Sequence, residues 1–387
     1  MCTPDRAAVQ RALTAAAAAV TVGAMRAPVA TAAVAYAAFT ALALALHGFD
    51  PLWFVWIGTR FADGLAGGSS GYDGQFVYFI ARDGWAAAPH LDAPAYRFSR
   101  ILAPLLARAL SGGEPRLIPW AMLAVNYAAL LAGTAALTAW LRRGEISAWW
   151  ALAWSACGGL FLAYSRDLTE PLAYGLAAVG VVAWFGGRSV PALAALALAA
   201  LARETTLLIV VALAAAEAIA VVAAPRRWPR LVGLALSALP WVVWNATVAA
   251  RFGSSAMGSA PPLQWLPLAG ALPLADLEPG RVSALLLVGL PALLLLPGAL
   301  AWVWRAPRQP LAWMIALHCL LILALAPETY LHVMAAGRLA VGLVLALVLA
   351  FPSLSPGMRG AVTAVAVAPT LLWLGPVLWW APWAAQR

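Results

Sequence analysis

Residues 205–224 read TTLLIVVALAAAEAIAVVAA, twenty residues with one ionisable side chain, Glu217. Coiled as an α-helix, a stretch of that length extends about 30 Å, the thickness of a bilayer's hydrocarbon core. Arg203-Glu204 stands before it and Arg226-Arg227-Trp228-Pro229-Arg230 behind it, so its charges sit at its two ends. Lipid offers no partner to free backbone N–H and C=O groups, so a segment this apolar spans as a helix and not as an open strand.

Comparable stretches recur on both sides. Candidate spans are 27–46, 116–140, 147–163, 171–186, 190–202, 205–224, 231–250, 283–304, 311–327, 338–352 and 361–384. Of the 387 residues 64% are hydrophobic and 10% charged, against about 25% charged in an ordinary soluble domain. The fold class expected is therefore all-α: a polytopic transmembrane helix bundle of about 11–13 spans, with a long, partly helical first extracytoplasmic loop. The expected organisation is an interfacial or cytoplasmic segment over 1–26, a core membrane module over 27–250 that includes the loop 47–98, and C-terminal membrane helices over 251–387 with an outer loop at 251–282. Arg6 and Arg11 precede an alanine-rich run that resembles a signal peptide, but Arg26 interrupts it and a full-length apolar segment follows, which argues against cleavage.

Composition also excludes whole classes of function. Cys2, Cys157 and Cys319 are scattered, so neither a disulfide framework nor a metal cluster is expected. The net charge is +9, yet the arginines do not gather into one exposed patch, and nucleic acid is not an expected partner. No phosphate-binding glycine loop follows a strand, and no Ser/His/Asp set stands out.

The arginines set the topology. With a cytoplasmic N-terminus, Arg142-Arg143, Arg188, Arg226 to Arg230, Arg305 to Arg308 and Arg359 all fall inside, as the positive-inside rule requires. The same assignment sends twelve of the fifteen carboxylates to the outer side, where mixed charge can build a site. Residues 99–112 are short, carry Pro104 and Arg108, and are expected to lie at the interface or re-enter without crossing.

Five of those twelve carboxylates lie in the loop 47–98, which is longer than any helical hairpin needs. Its aromatic residues, Trp53 to Phe98, suit a membrane interface. Asp73 follows Gly67-Gly68-Ser69-Ser70-Gly71 at the start of an expected helix over 75–82; it either caps that helix or serves chemistry. Tyr72 and Gln75 beside it offer hydrogen bonds to a polar ligand. Asp92, Tyr96, Arg97 and Arg100 add an acid and two forked cations matched to phosphate, or the arginines merely snorkel. Further groups stand at helix ends: Arg166, Asp167 and Glu170; Arg203 and Glu204, which could neutralise each other; and His332 and Arg338 after Glu328. Ionisable groups at membrane depth are costly and are usually paired or functional.

Gly71-Tyr72-Asp73-Gly74-Gln75-Phe76 and Asp92-Ala93-Pro94-Ala95-Tyr96-Arg97 resemble loop elements of the GT-C superfamily of integral membrane glycosyltransferases. The resemblance covers about thirty residues closely, with looser likeness at Arg166 to Glu170 and at Arg203-Glu204. It implies a polyprenyl-phosphate-linked sugar donor, a glycan, lipid or protein acceptor, membrane lipids as surroundings, and the inner or plasma membrane of a bacterium. It implies Asp73 as the catalytic carboxylate. Many members carry an adjacent acidic pair where this chain has Asp73-Gly74, which leaves Asp92 and Asp50 as alternatives. Tyr72, Gln75, Asp92, Tyr96, Arg97, Arg100, Arg166, Asp167, Glu170, Arg203, Glu204, His332 and Arg338 are the expected substrate-binding residues. No cofactor is expected, although Asp73 and Asp92 together could hold a divalent cation. The competing expectations are a transporter or flippase of a lipid-linked or small polar solute, and a non-catalytic subunit of an envelope-polymer assembly.

Overall fold

The computed structural model describes residues 27–271, 278–331 and 333–379, so the expectations for residues 1–26 and for the chain beyond 379 lie outside it. It is 78% helical and has no strand among the described residues. The helices that matter are α1 (Ala27–Leu46), α2 (Gly74–Asp83), α3 (Leu102–Ser111), α4 (Ile118–Arg143), α5 (Gly158–Ser165), α6 (Glu170–Phe185), α7 (Ser189–Ala202), α8 (Glu204–Ala223), α9 (Pro225–Phe252), α10 (Pro279–Arg305), α11 (Pro310–Leu323), α12 (Val333–Leu339), α13 (Val341–Ala350) and α14 (Pro356–Leu378).

The chain is an all-α polytopic bundle. Six helices, α1, α4, α8, α9, α10 and α14, are long and apolar enough to cross a membrane, and α12 with the helical stretch Val341–Ser353, bent by 46°, can make a seventh. That is fewer full-length helices than the expected 11–13 spans. The difference lies in α6, α7 and α11, which at 14 to 16 residues reach only about 21–24 Å, and in the 147–163 segment. That segment is broken into Ala148–Ala151, Leu152–Ser155 and α5, with extended backbone at Cys157 just before Gly158-Gly159. α3 is ten residues, about 15 Å, half the thickness of the hydrocarbon core, and it packs on α2 and α4.

α6 is the bundle's axis. Ala173, Tyr174, Ala177, Ala178 and Val181 are fully buried, and α6 packs against α4 on one side and α7 on the other. Gly175 allows the approach to α4, because a Cβ there would run into the Ala129 carbonyl. α8 and α10 pack on α11, α11 on α13, and α5 on α12 and α14. The outer helices are largely unburied, with only 17% of α9's most apolar window and 11% of α14's inside the protein. Val222, Leu294, Leu371 and Leu372 stand exposed on α8, α10 and α14, a surface suited to acyl chains and not to water.

The loop 47–98 is a packed cap. Val55, Phe76, Phe79, Ile80, Ala87 and Phe98 form its core with Ile118 of α4 and Val248 of α9. Trp85 stacks on Phe98 and Trp244 at 4.6 and 5.4 Å between centroids. The aromatics expected at a membrane interface are therefore mostly internal; Trp53, Phe54, Phe76, Tyr78, Phe79 and Phe98 are all buried.

Candidate functional site

The turn before α2 is braced by its own side chains. Gln75 Oε1 accepts from the Gly58 N–H at 2.9 Å, and its Nε2 donates to the Ser70 carbonyl at 2.7 Å. Thr59 and Ser69 exchange side-chain to backbone hydrogen bonds at 3.2 and 3.1 Å. Gln75 is fully buried, so its amide serves the loop backbone. Gly74 lies against the Arg166 carbonyl with no room for a Cβ, which fixes the first turn of α2 on the end of α5.

Asp73 precedes that turn in helical conformation and makes no capping bond. Its carboxylate instead accepts from Arg97 Nη2 at Oδ1 and from Arg338 Nη1 at Oδ2, each at 3.0 Å. Arg97 also forks onto Asp92 through Nε at 2.8 Å and Nη2 at 2.7 Å, and its guanidinium lies 4.3 Å over the Phe76 ring. Arg100 forks onto Glu204 at 2.9 and 2.6 Å and donates to the Tyr96 hydroxyl. Arg203 Nη1 lies 3.0 Å from Glu170 Oε1, and Arg338 Nε 3.6 Å from the same oxygen. Arg203 and Glu204 therefore do not neutralise each other; each takes a partner from another element. Arg338 also lies over the Tyr72 ring, which is stacked on Trp56.

Four carboxylates (Asp73, Asp92, Glu170, Glu204) thus meet four arginines (Arg97, Arg100, Arg203, Arg338), a formally neutral cluster. Burial alone would raise the Asp73 pKa, but the Arg97 and Arg338 guanidiniums outweigh it and hold the carboxyl well below its usual range. Burial likewise opposes the charge on Arg97, and Asp73 and Asp92 overcome it and raise its pKa. The space left between Asp73, Arg97, Arg100, Glu170, Arg203 and Arg338 is about 20 Å³, room for about one water. Thr169 and Phe76, neither of them among the expected substrate-binding residues, line it too. The Thr169 hydroxyl is buried without a partner among the described residues, and its place between Asp167 and Glu170 was the only signal for it.

The remaining expected residues separate from this cluster. Arg166 is buried, with its guanidinium 4.5 Å from the Trp53 ring and 4.7 Å from the Trp56 ring, and Asp167 accepts from Asn126 at 3.4 Å; neither lines the cavity. Asp50 accepts from the Leu52 N–H at 2.9 Å at the start of a short helix. Of the three candidate bases, Asp73 alone lines the cavity. Arg97 stands between Asp73 and Asp92, where a shared cation would have to sit. His332 lies outside the described residues.

A second, apolar cavity of about 320 Å³ opens between α5, α10, α12, α13 and α14. Val333 and Gly337 of α12 line it, and the next residue, Arg338, reaches Asp73, so α12 separates an oily space from the charged one. Compared with protein-family profiles, with curated proteins and with solved structures, the chain finds no match in any of the three.

Proposed function

We propose that this chain is a membrane glycosyltransferase of GT-C type. It transfers a sugar from a polyprenyl-phosphate donor to a cell-envelope glycan, lipid or protein acceptor at the extracytoplasmic face of a bacterial inner membrane. The observation that carries the reading is Asp73, a carboxylate held between Arg97 and Arg338, with Arg338 directly following Gly337, a wall residue of an apolar cavity large enough for isoprenoid units.

A sugar on a lipid phosphate already has a stable leaving group, so the protein's task is to absorb charge on the departing phosphate and to take one proton. The acceptor oxygen forms a bond to the anomeric carbon as the bond to the phosphate oxygen breaks. The electron pair leaves with the phosphate, and the hydroxyl proton goes to Asp73, with inversion. Paired with it, Arg97 and Arg338 hold the carboxylate too acidic to be a good base. A donor phosphate competing for their forks frees Asp73 at the moment it is needed. Glu217, the ionisable group on which a transporter would lean, is taken up by Arg227 at 2.9 and 2.7 Å.

The test is release of polyprenyl phosphate by the purified protein in nanodiscs supplied with a panel of polyprenyl-phosphate hexoses and pentoses. Asp73→Asn is expected to cut turnover by about 10²–10⁴-fold while leaving the protein folded and the donor bound. Full transfer by a correctly inserted Asp73→Asn variant removes Asp73 from this role, and no release with any donor of the panel removes the reading.

A further inference from the structure

At the other ends of α6 and α8, away from Asp73, lies a third cavity that the proposed transfer does not use. It has a volume of about 290 Å³, many times the ~10–15 Å³ one water needs. Its walls are Trp184 and Phe185 at the end of α6, Glu217 on α8, Arg227 and Arg230 at the start of α9, and Arg308 before α11. Glu217 is 5% exposed and accepts both prongs of the Arg227 fork, with Arg230 Nε 3.2 Å from the same carboxylate. The Arg230 guanidinium also lies 4.3 Å over the Trp184 ring, which fixes its direction.

One carboxylate faces three arginines, a formal excess of two positive charges around an open space. The Asp73 cluster has neither an excess nor the space. Arginines that only set topology need no shared geometry; these three come from two separate connections and converge on one cavity around a buried acid. The Arg227 and Arg230 side chains are 40% and 36% exposed, so the site is reached from the surface. Guanidinium forks match phosphate oxygens, and basic pockets between helix ends at a membrane surface suit anionic headgroups.

We propose that this cavity, walled by Arg227, Arg230 and Arg308, is a second anion site and takes a phosphate ester. The phosphate belongs either to a phospholipid headgroup or to a free phosphate compound. The site does not depend on the transfer reaction above.

The experiment measures the thermal midpoint of the full-length protein in zwitterionic detergent against inorganic phosphate, and separately against short-chain phosphatidylglycerol, with short-chain phosphatidylcholine as control. A saturable rise is expected with phosphatidylglycerol, with phosphate, or with both. A response to phosphatidylglycerol alone identifies a headgroup site, and a response to inorganic phosphate a site for free phosphate compounds. Arg308→Gln, which breaks no ion pair among the described residues, is expected to weaken the apparent affinity about tenfold, the worth of one charge-assisted hydrogen bond. Glu217→Gln is expected to tighten it by a similar factor, because it removes the competing carboxylate; a merely structural Glu217 would not produce that sign. No saturable shift with phosphatidylglycerol and none with phosphate, or an affinity that either substitution leaves unchanged, overturns the proposal. The last result is the one expected if the anion binds at the Asp73 cluster instead.

Discussion

Asp73 works against its own acidity. The arginines that mark it as a site also keep its carboxylate ionised far below the pH at which a free aspartate takes up a proton. Because the folded value lies below the unfolded one, near 3.9, the unfolded chain binds more protons between the two. The stability this residue contributes is therefore complete above about pH 4 and is lost as the pH falls through the folded value. Melting of the wild type and of Asp73→Asn in detergent should accordingly differ by a constant amount from pH 5 to 8, and the difference should shrink below pH 4. A gap that changes across pH 5–8 would contradict the ion-paired state. The carboxylate itself was legible in the sequence, since it closes a glycine-rich turn beside polar and aromatic groups. Arg338 was also among the expected residues, but its pairing with Asp73 was not legible, because the two lie 265 residues apart and nothing local joins them. Arg203 and Glu204 show the converse, as adjacency suggests mutual pairing. Arg203 is extended, with φ −162° and ψ 125°, and successive side chains on extended backbone point to opposite sides, so Arg203 reaches Glu170 and Glu204 reaches Arg100.

The break between α7 and α8 is where elements and charges meet. Without Arg203-Glu204 the apolar run would continue as one helix; with them, the chain turns and ties itself to α6 through Glu170. That pair is almost wholly inside, with side chains 4% and 0% exposed, and such pairs contribute little net stability while intact yet cost about 3–5 kcal/mol when one partner is removed. Arg203→Leu alone should lower the melting temperature strongly, and the double change Arg203→Leu with Glu170→Leu should recover most of the loss, as read by melting of the purified variants. A double variant no better than the single one would mean that Arg203 acts by something other than this pairing. Helices were the most legible feature of the chain, because apolar runs bounded by arginine, proline or glycine translate directly into helices. Their lengths were not. The 147–163 run has the composition of a span, yet Gly158 and Gly159 sit where neighbouring helices come close, Gly159 against the Gly337 carbonyl, and the run breaks there. A close approach of distant backbones leaves no periodic trace in the segment itself.

On the scale of the whole protein, the charges divide between two ends. Arg143 approaches Gly186, Trp140 donates to the Leu349 carbonyl and Arg359 to the Phe351 carbonyl, which brings the ends of α4, α6 and α13 and the start of α14 together, far from Asp73. If the cap over residues 47–98 faces outward, as the proposed function requires, single cysteines at Gly67 and at Arg226 should differ in labelling. A membrane-impermeant maleimide should reach Gly67→Cys in intact cells and Arg226→Cys only after permeabilisation; the reverse pattern would turn the protein over and remove the proposed active face. The variants are made in a Cys2→Ser background, and Cys157 and Cys319 are buried and should contribute little labelling. The even match of acids and bases around Asp73 has a kinetic consequence as well. A site with no net charge casts no long-range field, and mobile ions have little to screen. The rate at which the proposed anionic donor reaches it should thus hardly change between 50 and 500 mM salt, because on that proposal encounter is left to lateral diffusion in the bilayer and to the greasy tail finding its groove.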